Sequence, residues 1–501
     1  MVSEVPVDVL VIGAGNAALC AALSAREIGA TVKVLECAPM SERGGNTAFT
    51  AGAMRVVYED EEDLARLMPD LTSADFDMTD FGTYTKSAFY EDMGRVTQFR
   101  ADPDLVEQLV ERSYESLLWM TSKGVRFAPI YGRQAFKING KFKFWGGLTV
   151  EVIGGGAGLI DALATACKNN DITIQYETRA VGLLRDDNGS VVGVRVRHHG
   201  KESSIFARSV VIGSGGFEAN TEWRVRYLGE GWDLAKVRGS RFNTGEGIQI
   251  ALDIGASPAG NWSGCHAVGW ELNAPEFGDL TVGDGFQKHS YPFGIMINAN
   301  GERFLDEGAD FRNYTYAKYG RVILSQPGQF AWQIFDQKVA HLLRDEYRIR
   351  QVTTVTANTL EELADQLEGV DSNRFLATMK IYNESVNQET PFDPNVKDGR
   401  GTTGVEPQKT NWANTIDEPP FQAFAVTCGI TFTFGGLRID PISAQVLNTD
   451  YEPIGGLFAC GELIGGLFYF NYPGGTGLTS GTVFGRAAGM HAAKASLSRI
   501  Q

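Results

Sequence analysis

The stretch Val7-Asp8-Val9-Leu10-Val11-Ile12-Gly13-Ala14-Gly15-Asn16-Ala17-Ala18 decides the fold. An apolar run ends in a glycine turn and opens a helical stretch. A second apolar run, Thr31-Val32-Lys33-Val34-Leu35, closes on Glu36. Strand, turn, helix, strand and acid are the parts with which a βαβ unit holds a dinucleotide. Gly13 permits the tight turn, and Gly15 lets the backbone approach a pyrophosphate with no Cβ in the way. Ala18 is small enough for the helix to pack on the strand. The helix start, Asn16 and Ala17, offers free N–H groups and a partial positive charge to phosphates. Glu36 can accept hydrogen bonds from ribose hydroxyls, and its charge argues against the 2′-phosphate of NADP.

Working outward, Arg43, Gly44, Gly45, Asn46 and Thr47 extend the expected cofactor contacts. Glycines recur as pairs at the ends of apolar runs, as in Ser209 to Phe217, where Gly215 is a further expected contact. Ala180 and Val181, at the start of an expected hairpin (180–184 with 191–197), are another. The rhythm returns near the other end of the chain. The run Leu457-Phe458-Ala459 leads to Gly461 and Glu462, and Gly477, Leu478 and Thr479 lead into a last helix, expected from Thr479 to about residue 498. The nucleotide fold is therefore expected to be assembled from both ends of the chain.

The chain has 501 residues, which points to two or three domains. A net charge of −16 disfavours nucleic acid and anionic membrane surfaces as partners. The six cysteines form no C-x-x-C pair, so neither a zinc knuckle nor an iron–sulfur cluster is expected. Cys20, Cys265 and Cys460 read as buried fillers. No apolar run is long enough to span a bilayer. The reading is a soluble cytoplasmic protein without metal or membrane insertion.

Helices are expected over 104–123 and 159–168, and from an Asn243–Gly247 cap to Asp253. The acidic stretch 59–80 shows no clear period, and its charge run 59–63 reads as a solvated loop. Residues 268–415 are richer in charge and aromatics and lack the strand–glycine–helix rhythm. The expected organisation is a Rossmann-like α/β dinucleotide-binding domain in two parts, 1–267 and 416–501, with an inserted α+β capping domain, 268–415.

Taken together, these motifs resemble the flavoprotein subunits of fumarate reductase and succinate dehydrogenase. The matching runs are Gly13–Ala18, Gly44–Thr47, Gly213–Phe217, Gly301–Gly308, Gly435–Leu437 and Gly461–Glu462. Within that family the strings Ile430–Gly436 and Ser480–Arg486 are similar to tricarballylate dehydrogenases. The resemblance implies that the dinucleotide is FAD, held by a Rossmann-like FAD-binding domain, and that hydride is exchanged at a carbon–carbon bond, with a proton moved by a protein acid/base. The substrate would be a small molecule with a carbonyl or carboxylate, and an unidentified partner would take or supply electrons. Residues 43–50 contain no histidine, so non-covalent FAD is expected.

Three positions depart from the family pattern. The arginine that donates the proton in fumarate reductases falls on Phe311, with Arg312 one place on. A substrate-binding histidine falls on Phe432, or on Thr431 one place earlier, and a second arginine on Tyr472. Tyr472-Pro473-Gly474 is instead similar to 3-ketosteroid dehydrogenases, where a tyrosine hydroxyl and a glycine N–H polarise a ketone. Tyr469, Phe468 and Phe470 would add apolar surface. The expected catalytic residues are Arg312, Tyr472 and His266, with His289 a weaker candidate. A cyclic-ketone dehydrogenase is the alternative to a tricarballylate-type enzyme, and a non-catalytic flavin-binding protein is the alternative of another class.

Overall fold

The computed structural model describes residues 6–145 and 147–498. Strand β1 (Val7–Ile12) is buried along nearly its whole length, with the first and last helices of the chain packed against it. Helix α1 (Asn16–Glu27) follows the glycine turn, and β2 (Val32–Leu35) pairs parallel to β1. Across this parallel layer the order is Thr173–Gln175, β2, β1, the end of Lys201–Ile212, then Pro453–Ala459. The last of these strands comes from the far end of the chain, as the sequence implies. The strands end level, with Ile12 opposite both Leu35 and Ile212, and Ile212 opposite Ala459. Their carboxyl ends therefore open one crevice, where α/β sheets bind ligands.

Gly13 has φ +104°, and a Cβ there would stand 2.4 Å from the Gly213 carbonyl oxygen. Only glycine fits the turn. The last helix (Thr476–Ser498) starts three residues before the expected Thr479 and packs closely on α1. Gly485 and Gly489 make that approach possible: a Cβ on Gly489 would lie 2.0 Å from the Ala21 carbonyl oxygen.

A second sheet combines Lys236–Val237, Pro258–Glu271, Ile295–Ile297, Ala331–Phe335, Thr354–Ala357 and Phe421–Leu437. Its central strand is Phe421–Leu437, which pairs with four of the others. The sequence boundaries at 268 and 415 thus do not coincide with the edges of this sheet. A continuously apolar run suits any buried strand, and its partners are not written in it. The stretch 59–63 is also corrected. Asp60 caps a helix, Glu61–Leu67, by accepting from the Asp63 N–H, and the acids favour its positive end. Helix Glu246–Leu252 has Gly245, within the expected 243–247 cap, as its N-cap. Among the described residues no helix is long and apolar enough to cross a membrane.

Candidate active site

Two cavities meet at the crevice. One, about 890 Å³, runs from Gly13 past Glu36, Ala180, Gly215 and Asn243 to Gly461 and Glu462. The other, about 1280 Å³ including its mouth, continues from Asn16, Ala17, Asn46 and Thr47 past Glu462, Gly477 and Leu478 to Tyr472 and Arg312. Asn16, Ala17, Asn46, Thr47, Gly461 and Glu462 line both, so the space is one elongated slot.

The slot fits FAD. Each oxygen of Glu36 accepts one backbone N–H, from Ala14 and from Ala38, both at 2.8 Å. Oε1 also accepts from the Cys37 thiol at 3.4 Å, which leaves Oε2 with a lone pair for a hydroxyl. Burial pushes the Glu36 carboxyl up, and those N–H groups work against that. Glu462 accepts from the Thr433 N–H at 2.9 Å, and burial together with Glu218 holds it well above the usual carboxylate range. Asn46 donates to Glu218 at 2.6 Å and to the Thr431 carbonyl at 2.7 Å, which fixes its side chain beside the slot.

Four expected contacts stand off the slot. Arg43 pairs with Asp161 on the outside at 2.7 Å, and Gly44 packs against Ile160. Val181 belongs to the strand Thr178–Arg185 without lining either cavity. The Thr479 hydroxyl donates back to the Arg55 carbonyl at 2.8 Å. Gly45 and Gly215 do line the cofactor end.

At the other end, His266 and Phe432 sit opposite each other in the ladder of the second sheet, with bulges on either side of His266. Cross-strand partners share a face, so both point into the cavity. Tyr472 reaches the same place because two hydrogen bonds hold its segment beside residues 312–316. The Asn471 side chain donates to the Tyr314 carbonyl at 2.6 Å, and the Gly474 N–H to the Asn313 carbonyl at 2.8 Å. The result is a hydrogen bond of 2.6 Å between the hydroxyls of Tyr316 and Tyr472. The His266 ring lies 4.9 Å from the Tyr316 ring and 4.8 Å from that of Tyr472. Burial raises both phenols above their ordinary range, Tyr316 strongly, and the Gly475 N–H supports the Tyr472 oxygen. Burial and the Arg238 charge push His266 well below its ordinary value, so its ring is neutral.

Arg312 lines the cavity, whereas Phe311 is turned away. Phe311 stacks on Trp145 at 4.8 Å and packs against Trp412, so it is held by an apolar cluster rather than offered to a substrate. Phe468 lines the cavity, but Phe470 has φ +62° and is half exposed, so it adds nothing to the pocket wall. Tyr469 does not line the pocket either. Tyr316, Arg133, Arg238 and Asp284 also line the cavity, and sequence reasoning did not find them. Arg133 and Arg238 both pair with Asp284. Tyr316 had one local signal, its place four residues after Arg312.

The sequence profile of the family described as FAD binding domain matches residues 8–478. The chain belongs to that family. This flavoprotein is 30% identical to a probable fumarate reductase of Shewanella frigidimarina, over 98% of its own length and 76% of that protein. It superposes on the open conformation of a flavocytochrome c3 fumarate reductase with a TM-score of 0.73 and 28% identity, covering 99% of this chain and 79% of the other. A 3-ketosteroid Δ1-dehydrogenase from Sterolibacterium denitrificans shares the fold, with a TM-score of 0.74, 21% identity and coverage of 98% and 99%. The flavoprotein is thus an FAD-dependent oxidoreductase.

Proposed function

We propose that this flavoprotein adds or removes hydrogen across a carbon–carbon bond next to a ketone. The observation that carries the reading is the buried Tyr316–Tyr472 hydroxyl pair at the end of the FAD slot. Bound FAD supplies the hydride donor or acceptor.

The chain's own residues hold an oxygen and handle a proton. In the pair, one hydroxyl donates to the other, so one O–H is left to donate to a substrate carbonyl. In the reducing direction, hydride added at the β-carbon leaves its electron pair on that oxygen as an enolate. The phenol O–H stabilises this charge, and a proton completes the α-carbon. The phenols, kept protonated by burial, can supply that proton and regain it from solvent, while neutral His266 packs against both rings. Phe432, Phe434 and Phe468 keep water from the same end.

The two fumarate reductase relatives suggest a dicarboxylate, and the tricarballylate-like strings a tricarboxylate. Both need several free cations in the cavity. Asp284 already engages Arg133 and Arg238, which leaves Arg312 as the lining guanidinium without a carboxylate among the described residues. The arginine cluster is nonetheless the observation that favours the tricarboxylate reading.

The test is anaerobic. Photoreduced enzyme is mixed with 2-cyclohexenone or with fumarate, and oxidised enzyme with tricarballylate, while flavin absorbance is followed. Return of oxidised flavin with the enone supports the proposal. Return with fumarate alone, or bleaching with tricarballylate alone, overturns it.

A further inference from the structure

The end of the cavity beyond the phenol pair carries groups that the proposed reaction does not use. His289 is 1% exposed and Arg312 7%. Arg312 Nη1 donates to His289 Nδ1 at 3.2 Å. A guanidinium cannot accept, so Nδ1 carries the lone pair and the proton of the neutral ring sits on Nε2. The ring is neutral because burial and the Arg312 and Arg238 charges push its protonation well below the ordinary value. His289 Nε2 is therefore an N–H donor, and it meets no acceptor among the described residues. The same holds for Arg312 Nε. Buried donors left without acceptors are costly, and both side chains line the cavity.

The charge points the same way. Four guanidiniums gather here, and Asp284 engages two of them, Arg133 and Arg238. Arg312 and Arg344 have no carboxylate at ion-pair distance among the described residues. They donate instead to the Arg133 and Gly132 carbonyls, at 2.6 Å each. Glu346 is the acid that acts on both through space. The opposite end of the cavity has no such surplus: Phe432, Phe468, His266 and the two phenols are neutral.

We propose that His289 and Arg312, backed by Arg344, form an anion subsite for the single carboxylate of a substrate whose other end is a neutral carbonyl. Tyr316 joins the two ends, since its ring lies 4.8 Å from that of His289 and its hydroxyl bonds Tyr472. A short planar chain spans that distance. The substrate class is a 4-oxo-2-enoate: ketone, double bond and carboxylate in one conjugated unit. A dicarboxylate would press its second charge against aromatic rings.

This inference rests on the reading of the site as a carbon–carbon oxidoreductase, so its test is binding without turnover. Oxidised holoenzyme has no hydride to give. It is titrated with 4-oxo-2-pentenoate and with the methyl ester, following the flavin absorbance. The acid is expected to bind about 10- to 100-fold more tightly than the ester, the worth of a small set of charge-assisted hydrogen bonds. Arg312→Leu should bring the acid to the affinity of the ester, and His289→Leu should remove part of the preference. Equal affinities in the unmodified protein, or an undiminished preference in both variants, overturn the subsite. Bound flavin reports folding. If Arg312→Leu loses it, the wild-type ratio and His289→Leu decide. An acid preference combined with no turnover of either compound by reduced enzyme leaves the subsite standing and sinks the proposed reaction.

Discussion

Removing either hydroxyl of the Tyr316–Tyr472 pair should cost nearly as much as removing both. The two oxygens are 2.6 Å apart in a buried site, so each fixes the direction of the other's proton. Tyr472→Phe deletes the donor nearer Gly475, and Tyr316→Phe leaves the Tyr472 hydroxyl free to turn away from the substrate. Loss of one preorganised oxyanion donor typically lowers kcat by about 10²- to 10³-fold, or about 3–4 kcal/mol. Two independent donors would lose about 10⁴- to 10⁶-fold together. A coupled pair should lose about as much in the double variant as in one single variant, a coupling energy of roughly 3 kcal/mol. The assay is stopped-flow return of oxidised flavin when anaerobically reduced enzyme meets a saturating enone. Burial raises both phenols, so the O–H form persists through neutral pH, and rates should fall only as pH rises past their ordinary range near 10. Single variants within threefold of the unmodified enzyme, or effects that multiply in the double variant, would refute the argument.

Gly489→Ala should destabilise the protein although alanine is the better helix former by about 1 kcal/mol. The added methyl would lie 2.0 Å from the Ala21 carbonyl, and forcing the two helices apart costs about 3 kcal/mol; a thermal melt that is unchanged or higher contradicts this. Acid precipitation should release all the flavin to the supernatant, because no histidine lies within 43–50; flavin retained in the pellet would contradict it. His266 and His289 are held neutral in the folded protein, below the ordinary value of 6.5 that they regain on unfolding. The unfolded chain thus binds more protons, and stability should fall as pH drops below about 6.5, by about 1.4 kcal/mol per pH unit for each histidine. Chemical denaturation from pH 7 to 5 measures this, and a slope unaltered in His266→Gln and His289→Gln would count against it.

The cofactor end of the site was legible because its chemistry is local. Gly13 must be glycine for its own φ, and Glu36 ends the second strand of one short βαβ unit. The return of the same strand–glycine pattern at Leu457 was enough to bring the two ends of the chain into one sheet. The run at Phe421 was harder. Its apolar residues and glycines resemble those of the first sheet, yet the strand pairs with Pro258–Glu271 and Ala331–Phe335. The Phe311 position shows a different limit. Counting along the motif finds the right turn, but not whether the turn presents residue 311 or 312 to the cavity. Stacking on Trp145, which is remote in sequence, settles that.

By itself, then, the sequence determined an FAD slot built from both ends of the chain. Glycine conformation, helix N-termini and one strand-end acid act over a few residues, and they can be read from a few residues. The substrate end was decided by tertiary structure alone. Tyr316 meets Tyr472, His289 meets Arg312, and Asp284 engages Arg133 and Arg238 only because distant segments are hydrogen-bonded side by side. Whether a buried guanidinium is neutralised or left to receive an anion depends on those partners, and a linear chain does not show which partners its side chains will meet.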